Sequence, residues 1–169
     1  QDLDVLKEIN QVKARVSFTL TTNDDTLAEK LEPGAPSPSR RLSAMRELST
    51  AGIETGVVMM PILPFIEDTP ENITQIVQAA AAHGAGYIVP AFGMTIREGQ
   101  REYFYQKLEE HFPGLRQQYE ATFGDSYHCP ARNQEQLAKL FYDLCEGHKI
   151  ATRVFAYLQK PDHEQLSLF

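Results

Sequence analysis

The chain has 169 residues, 42% of them hydrophobic, with 23 acidic against 16 basic side chains and a formal charge of −7. That length supports one hydrophobic core, which in a domain of this size buries about two thirds of the surface the unfolded chain exposes, and the acidic balance offers no general attraction for a phosphate backbone, so nucleic acid is not an expected partner. The two cysteines exclude a disulfide-dense secreted scaffold and fit a reducing cytoplasm; no apolar run approaches the roughly 18 residues of a membrane span, and no signal peptide is expected.

Leu3, Leu6 and Ile9 recur at helical spacing in QDLDVLKEIN, and ARVSFTLTT then changes to the β-branched, aromatic composition of a strand. NDDTLAEKLEP reads as a short helix stopped by Pro33 and Gly34. The next helix, SRRLSAMRELSTAG, has Ser37 and Pro38 as its cap and first-turn pair and Gly52 at the left-handed exit. IETGVVMMPILPFI supplies a second strand whose middle is nearly continuous in apolar residues, as expected of a strand covered on both faces. Thr69 caps the following helix, Pro70 occupies its first turn, Gly84 ends it, and GYIVPAFG is a third strand.

Two strand–helix–strand steps of right-handed crossover length therefore predict an α/β fold with about three parallel core strands, flanking helices and a helical C-terminal extension. REGQREYFYQKLEEHFPG, LRQQYEATFGD and NQEQLAKLFYDLCEGH form that extension, with Tyr103, Leu108, Phe112, Leu115 and Tyr119 expected in a layer against the sheet. Residues 1–147 make up this part; in 148–169, KIATRVFAYLQ is a weakly alternating returning segment and PDHEQLSLF a loosely held tail. Three parallel strands leave two open edges. Either the terminal helices cover them, or N-terminal strands outside this sequence complete an incomplete (β/α) barrel; the abrupt helical start favours the second. Exposed edges also make self-association an expectation.

Residues with chemical capacity fall after the strands, where ligands bind in such folds. Ser17, Thr19 and Thr21 lie at alternate strand positions and form a hydroxyl row suited to a ribose, carboxylate or amine, although threonine also favours strands for packing alone. Glu32 precedes the rigid PGAPSP turn and Arg40 and Arg41, a carboxylate and guanidinium set suited to an amino-acid-like ligand; the alternative is ordinary capping with exposed arginines. Arg41 opposes the dipole at its helix start, so another contact is expected to keep it there. Met59 and Met60 line a cavity or join the core, Pro61 and Pro64 stiffen the loop, Asp68 orients it, and Gly93 permits a tight approach beside Thr95, Arg97 and Glu98.

His128 with Cys129 and Cys145 with His148 have zinc-ligand chemistry, but adjacent His and Cys side chains converge poorly and Cys145 holds an apolar helix position, so no metal site is expected in this chain. Dinucleotide and P-loop fingerprints are absent. The residues alone also fit a small α/β domain binding a sugar or phosphorylated metabolite, or a partner-binding unit.

VSFTLTT, LEPGAPSPSRRLSAMRELSTAGI, GVVMMPILPFIEDTPENI and YIVPAFGMTIREGQREYFY together resemble the C-terminal half of a radical S-adenosylmethionine protein, nearest to the uncharacterised relatives of spore photoproduct lyase. The resemblance covers most of residues 1–147. It implies a partial barrel in which this chain supplies the later strands, and a full-length enzyme that uses a 4Fe-4S cluster to cleave S-adenosylmethionine and abstract hydrogen from a small-molecule or macromolecular substrate. Ser17, Thr19 and Thr21 resemble its polar strand positions at the cofactor, Glu32 and Arg41 its acidic and basic positions, Met60 and Pro61 the next strand end near the adenine, and Pro90 with Phe92 the following rim. The CxxxCxxC cluster motif is not present in this chain. It is therefore expected to bind no cofactor by itself and to be inactive without the N-terminal half of the barrel.

Overall fold

A computed structural model describes residues 2–154. The tail PDHEQLSLF, residues 155–159 of the returning segment and therefore most of the 148–169 unit lie outside the described residues. In chain order the elements are α1 (Leu3–Ile9), β1 (Arg15–Thr19), α2 (Asp25–Leu31), α3 (Pro38–Thr50), β2 (Glu54–Met59), α4 (Pro70–Ala82), β3 (Tyr87–Pro90), β4 (Gly93–Thr95), α5 (Glu98–His111), α6 (Leu115–Phe123), β5 (His128–Pro130) and α7 (Gln134–His148). The expected parallel sheet is present in the order β1-β2-β3, with Ser17, Gly56 and Tyr87 in one row of its register. The returning segment begins as expected: Ala151 forms a parallel bridge with Tyr87, exchanging hydrogen bonds with Ile88 N–H and the Gly86 carbonyl.

Coverage of the sheet is uneven: the middle of β2 is buried on both faces at Thr55, Gly56 and Val57, as expected, whereas the face opposite the main core opens towards β1. Thr55, Val57, Met59 and Ile88 are buried, and Val57, Met59 and Ile88 join Leu42 and Met45 of α3, Ile73, Ile76 and Val77 of α4, and Leu137 and Phe141 of α7 in the main core. The alternate positions Ser17 and Thr19 are exposed, and Val58 and Val89 are half-buried. On that open face the row is completed by Tyr87, whose ring lies over Gly56; a Cβ at Gly56 would come within 2.3 Å of the ring.

Local chemistry explains most element ends. The Thr69 hydroxyl accepts from Asn72 N–H at 3.1 Å, as a cap should. Ser37 makes no side-chain cap; Asp25, at the start of α2, instead accepts from Ser39 N–H at 3.0 Å and so ties α2 to the first turn of α3. Gly52 and Gly84 both take left-handed conformations at helix exits. Helix α1 has no buried residue, and Ile9 is 51% exposed, so its apolar spacing does not mark a core helix.

The C-terminal extension builds its own centre. Ile96, Tyr105, Leu108, Tyr119 and Cys129 form a second buried cluster with Phe65, Phe104, Phe112 and Leu115 around it, rather than a layer on the parallel sheet. Tyr103 is 67% exposed, contrary to its expected place in that layer. Two short strands, β4 and β5, pair antiparallel here. Their approach requires Gly93, since a Cβ there would lie 2.7 Å from the Cys129 carbonyl oxygen. Gly93 therefore serves a backbone contact between strands.

Candidate functional site

The carboxyl end of β1 is built by the two helices that follow it. Asp25 fixes the start of α3 against α2, and the 32–37 turn brings Glu32 back beside Arg41 on the first turn of α3. Arg41 pairs with the Glu32 carboxylate and donates its other guanidinium nitrogen to the Thr19 carbonyl at 3.0 Å. These two contacts hold a cation at an unfavourable helix start. Ser17, Thr19, Glu32, Arg40 and Arg41 line one open hollow of about 580 Å³. Arg41, rather than Arg40, is the arginine bound to the strand end.

At the amino-terminal side of the same sheet face, the Ser17 hydroxyl lies 2.6 Å from the Tyr87 hydroxyl, reaching it across Gly56. The Arg15 guanidinium sits 5.5 Å from the Tyr87 ring centroid, and Lys13 and Arg15 both pair with Glu54. These charges hold the Glu54 carboxyl below its ordinary value, although burial opposes them as the largest single influence. Ser17 is thus engaged within the sheet, whereas the Thr19 side chain is exposed next to the Arg41 contact.

The loop after β2 contributes a different set. The Met60–Pro61 peptide is cis, and Met60, Pro61 and Phe92 line a hollow of about 690 Å³ together with Gly93 to Thr95 and the β5 strand. Met59 belongs to the core, while Met60 reaches the cavity wall. Phe92 packs edge-on against Phe141 at 5.8 Å between ring centroids. Thr21 lies past the end of β1, where it is 8% exposed and its carbonyl accepts from the Asn72 side chain. It therefore leaves the exposed hydroxyl row and turns towards Glu67.

Glu67 escaped the sequence reading and is the most perturbed carboxyl of the loop. It is 1% exposed; its Oε2 accepts from Leu63 N–H at 2.9 Å, and Oε1 is buried with no partner in full hydrogen-bond geometry. Burial pushes its pKa up to about 7, the Thr21 side chain and Leu63 N–H pull it down, and the Glu32 and Asp68 charges push it further up. Next to it, the buried Asp68 carboxylate takes the Arg132 side chain and backbone N–H, and the same guanidinium stands 4.9 Å from the Phe65 ring centroid. The Tyr119 hydroxyl donates to the Pro64 carbonyl at 2.7 Å, and burial is the main influence raising its pKa. The sequence signal was available: two adjacent acids inside the apolar run PFIEDTP. Its partner Arg132 lies 64 residues downstream.

The two His–Cys pairs do not meet. Cys129 is buried in the α5–α6 cluster and Cys145 in the main core, and among the described residues no group of three or more His, Cys, Asp or Glu could hold a metal ion. Burial raises both thiols, Cys145 to about 11. Among the described residues, no helix is long and apolar enough to cross a membrane.

With this geometry in place, comparison with known proteins gives relatives of unassigned role. The chain is similar to uncharacterised proteins of Mycobacterium bovis and Mycobacterium tuberculosis, at 28% identity over 152 residues, covering 89% of this chain and 44% of each relative. It is equally similar, at 28% identity over 155 residues, to an uncharacterised protein of Acidianus two-tailed virus, of which it covers 45%. The chain therefore spans less than half the length of these curated relatives. No family model matches it, and no solved structure does.

Proposed function

We propose that this chain forms part of an incomplete (β/α) barrel of the radical S-adenosylmethionine type, in which the end of β1 receives the amino-acid portion of the cofactor. One observation carries the reading. The main core packs on one face of the parallel sheet, and the other face leads from a buried Tyr87 and an engaged Ser17 to an exposed Thr19 beside the Glu32–Arg41 pair at the carboxyl end of β1. Such ends are where ligands bind in parallel α/β folds. The length of the relatives, more than twice the matched segment, supports a larger protein in which the open face has a complement.

The donor set suits a zwitterionic amino acid: the Glu32 carboxylate for an ammonium, Arg41 for a carboxylate, and the Thr19 hydroxyl for a sugar or amine. Met60, Pro61 and Phe92 offer apolar surface for an adenine. A 4Fe-4S cluster is not matched in the same way. Cluster ligands must be convergent thiolates, and the two thiols here are buried in separate clusters with raised pKa values. The cluster of such an enzyme would be held by residues outside this chain, which alone is expected to be inactive. S-adenosylmethionine supplies a hydrogen-abstracting radical when reductively cleaved; the role of these residues is to orient it and exclude water. The substrate, small molecule or macromolecule, is set by the complete protein.

Calorimetric titration of the full-length protein with S-adenosylmethionine tests the reading, this chain alone being expected to bind none. Saturable binding by the full-length protein is expected, lost in Thr19→Val and in Arg41→Gln variants that keep the parent's circular dichroism. No binding of S-adenosylmethionine, with saturable binding of ribose 5-phosphate in its place, would replace this reading with that of a phosphorylated-metabolite domain.

A further inference from the structure

The geometry points to a second binding site, for a small aromatic or aliphatic carboxylate, in the groove between the C-terminal turn of α2 and helix α5. Its volume is about 440 Å³, within the range of small-molecule pockets. The segments following β1, β2 and β3 all contribute to it, through Leu31, Leu63 and Ile66, and Phe104 with Leu108. None of the residues proposed for S-adenosylmethionine lines it, so the two sites stand or fall separately.

The rim decides the class of ligand. In a chain of net charge −7 this groove has no acidic lining residue, and Lys30, Lys107 and His111 border it. Lys107 is paired with Glu110 at 2.6 Å, whereas Lys30, exposed in the last turn of α2, has no ion-pair partner among the described residues. The C-terminal end of a helix already favours a cation, and a carboxylate bound below Lys30 gains a charge-assisted bond there. Tyr103, 67% exposed on α5, stands at the lip as an unusually open aromatic surface. An apolar floor beneath an unpaired cation fits a molecule with a ring or chain at one end and a carboxylate at the other.

Titration calorimetry of the full chain with 2-naphthoate, and with neutral 2-naphthamide as its isostere, reads both features. Naphthoate is expected to bind saturably and about fivefold more tightly than naphthamide, the scale of one exposed ion pair. Lys30→Gln combined with Lys107→Gln should bring naphthoate down to the naphthamide affinity and leave naphthamide unchanged. Because Lys30 is exposed, Lys107 is only half-buried and neither belongs to a buried core cluster, circular dichroism should show the fold retained. Amide NMR shifts centred on residues 63–66 and 94–112 are expected on naphthoate binding. Equal affinity for the two probes, an unchanged double variant, shifts centred on residues 17–19 and 40–44, or no binding of either probe would each overturn the assignment.

Discussion

Glu67 makes the stability of this fold dependent on pH in a direction opposite to that of most carboxylates. An ordinary glutamate titrates near 4.5, and burial pushes Glu67 to about 7. Between those values the unfolded chain has released a proton that the folded chain still holds, so the unfolded state binds fewer protons and stability falls as pH rises. The loss is absent below the unfolded value and complete above the folded one. At about 1.4 kcal/mol for each tenfold displacement of the protonation equilibrium, it amounts to about 3 kcal/mol, or roughly 6–12 °C in Tm for a domain of this size. Glu67→Gln removes the titration and keeps an oxygen for Leu63 N–H. Urea unfolding followed by circular dichroism should find the variant close to the parent at about pH 5 and more stable by up to about 3 kcal/mol at about pH 8. A difference that does not change with pH, or a carboxyl carbon titration of Glu67 near 4.5, would refute the reasoning.

Gly56→Ala should cost about 1–3 kcal/mol, because its Cβ would overlap the Tyr87 ring; a Tyr87→Ala background should relieve most of that cost in a double-mutant cycle of unfolding free energies. Arg132→Ala leaves the Asp68 carboxylate buried without its guanidinium partner and should destabilise by about 3 kcal/mol, whereas Asp68→Asn with Arg132→Ala together should cost less than the sum of the single changes; denaturant midpoints test this. Both thiols are fully buried with raised pKa values, so neither should react with a disulfide reagent in the native protein and both should react after denaturation, as counted by released thiolate absorbance.

The regular part of the fold was legible because its signals are local. Pro70 and Thr69 open α4, Gly84 closes it, and the short apolar run that follows can only be a strand of the same parallel sheet. The Glu32–Arg41 pairing was legible for a similar reason: nine residues and a proline-rich turn separate the partners. The irregular part was not. Which strand face is left open depends on helices distant in sequence, and GMT and HCP are too short to announce a strand before their pairing partners are known. Helical spacing identified α1 correctly, but the expected place of Tyr103 in a packed layer was wrong, since it is 67% exposed. Glu67 was missed because a carboxylic acid in a loop reads as solvated, whereas here it is 1% exposed and burial pushes its pKa up.

The hydroxyl contact between Ser17 and Tyr87 also has a temporal meaning. Its partners stand 70 residues apart on strands that do not touch, and the ring passes over Gly56 on the strand between them. The contact can close only when all three strands are docked in the correct alignment, so it works as a completion signal. Removing it with Tyr87→Phe should quicken unfolding while leaving the folding rate nearly untouched in stopped-flow measurements. A loss seen mainly in the folding rate would mean that all three strands are already docked in the folding transition state.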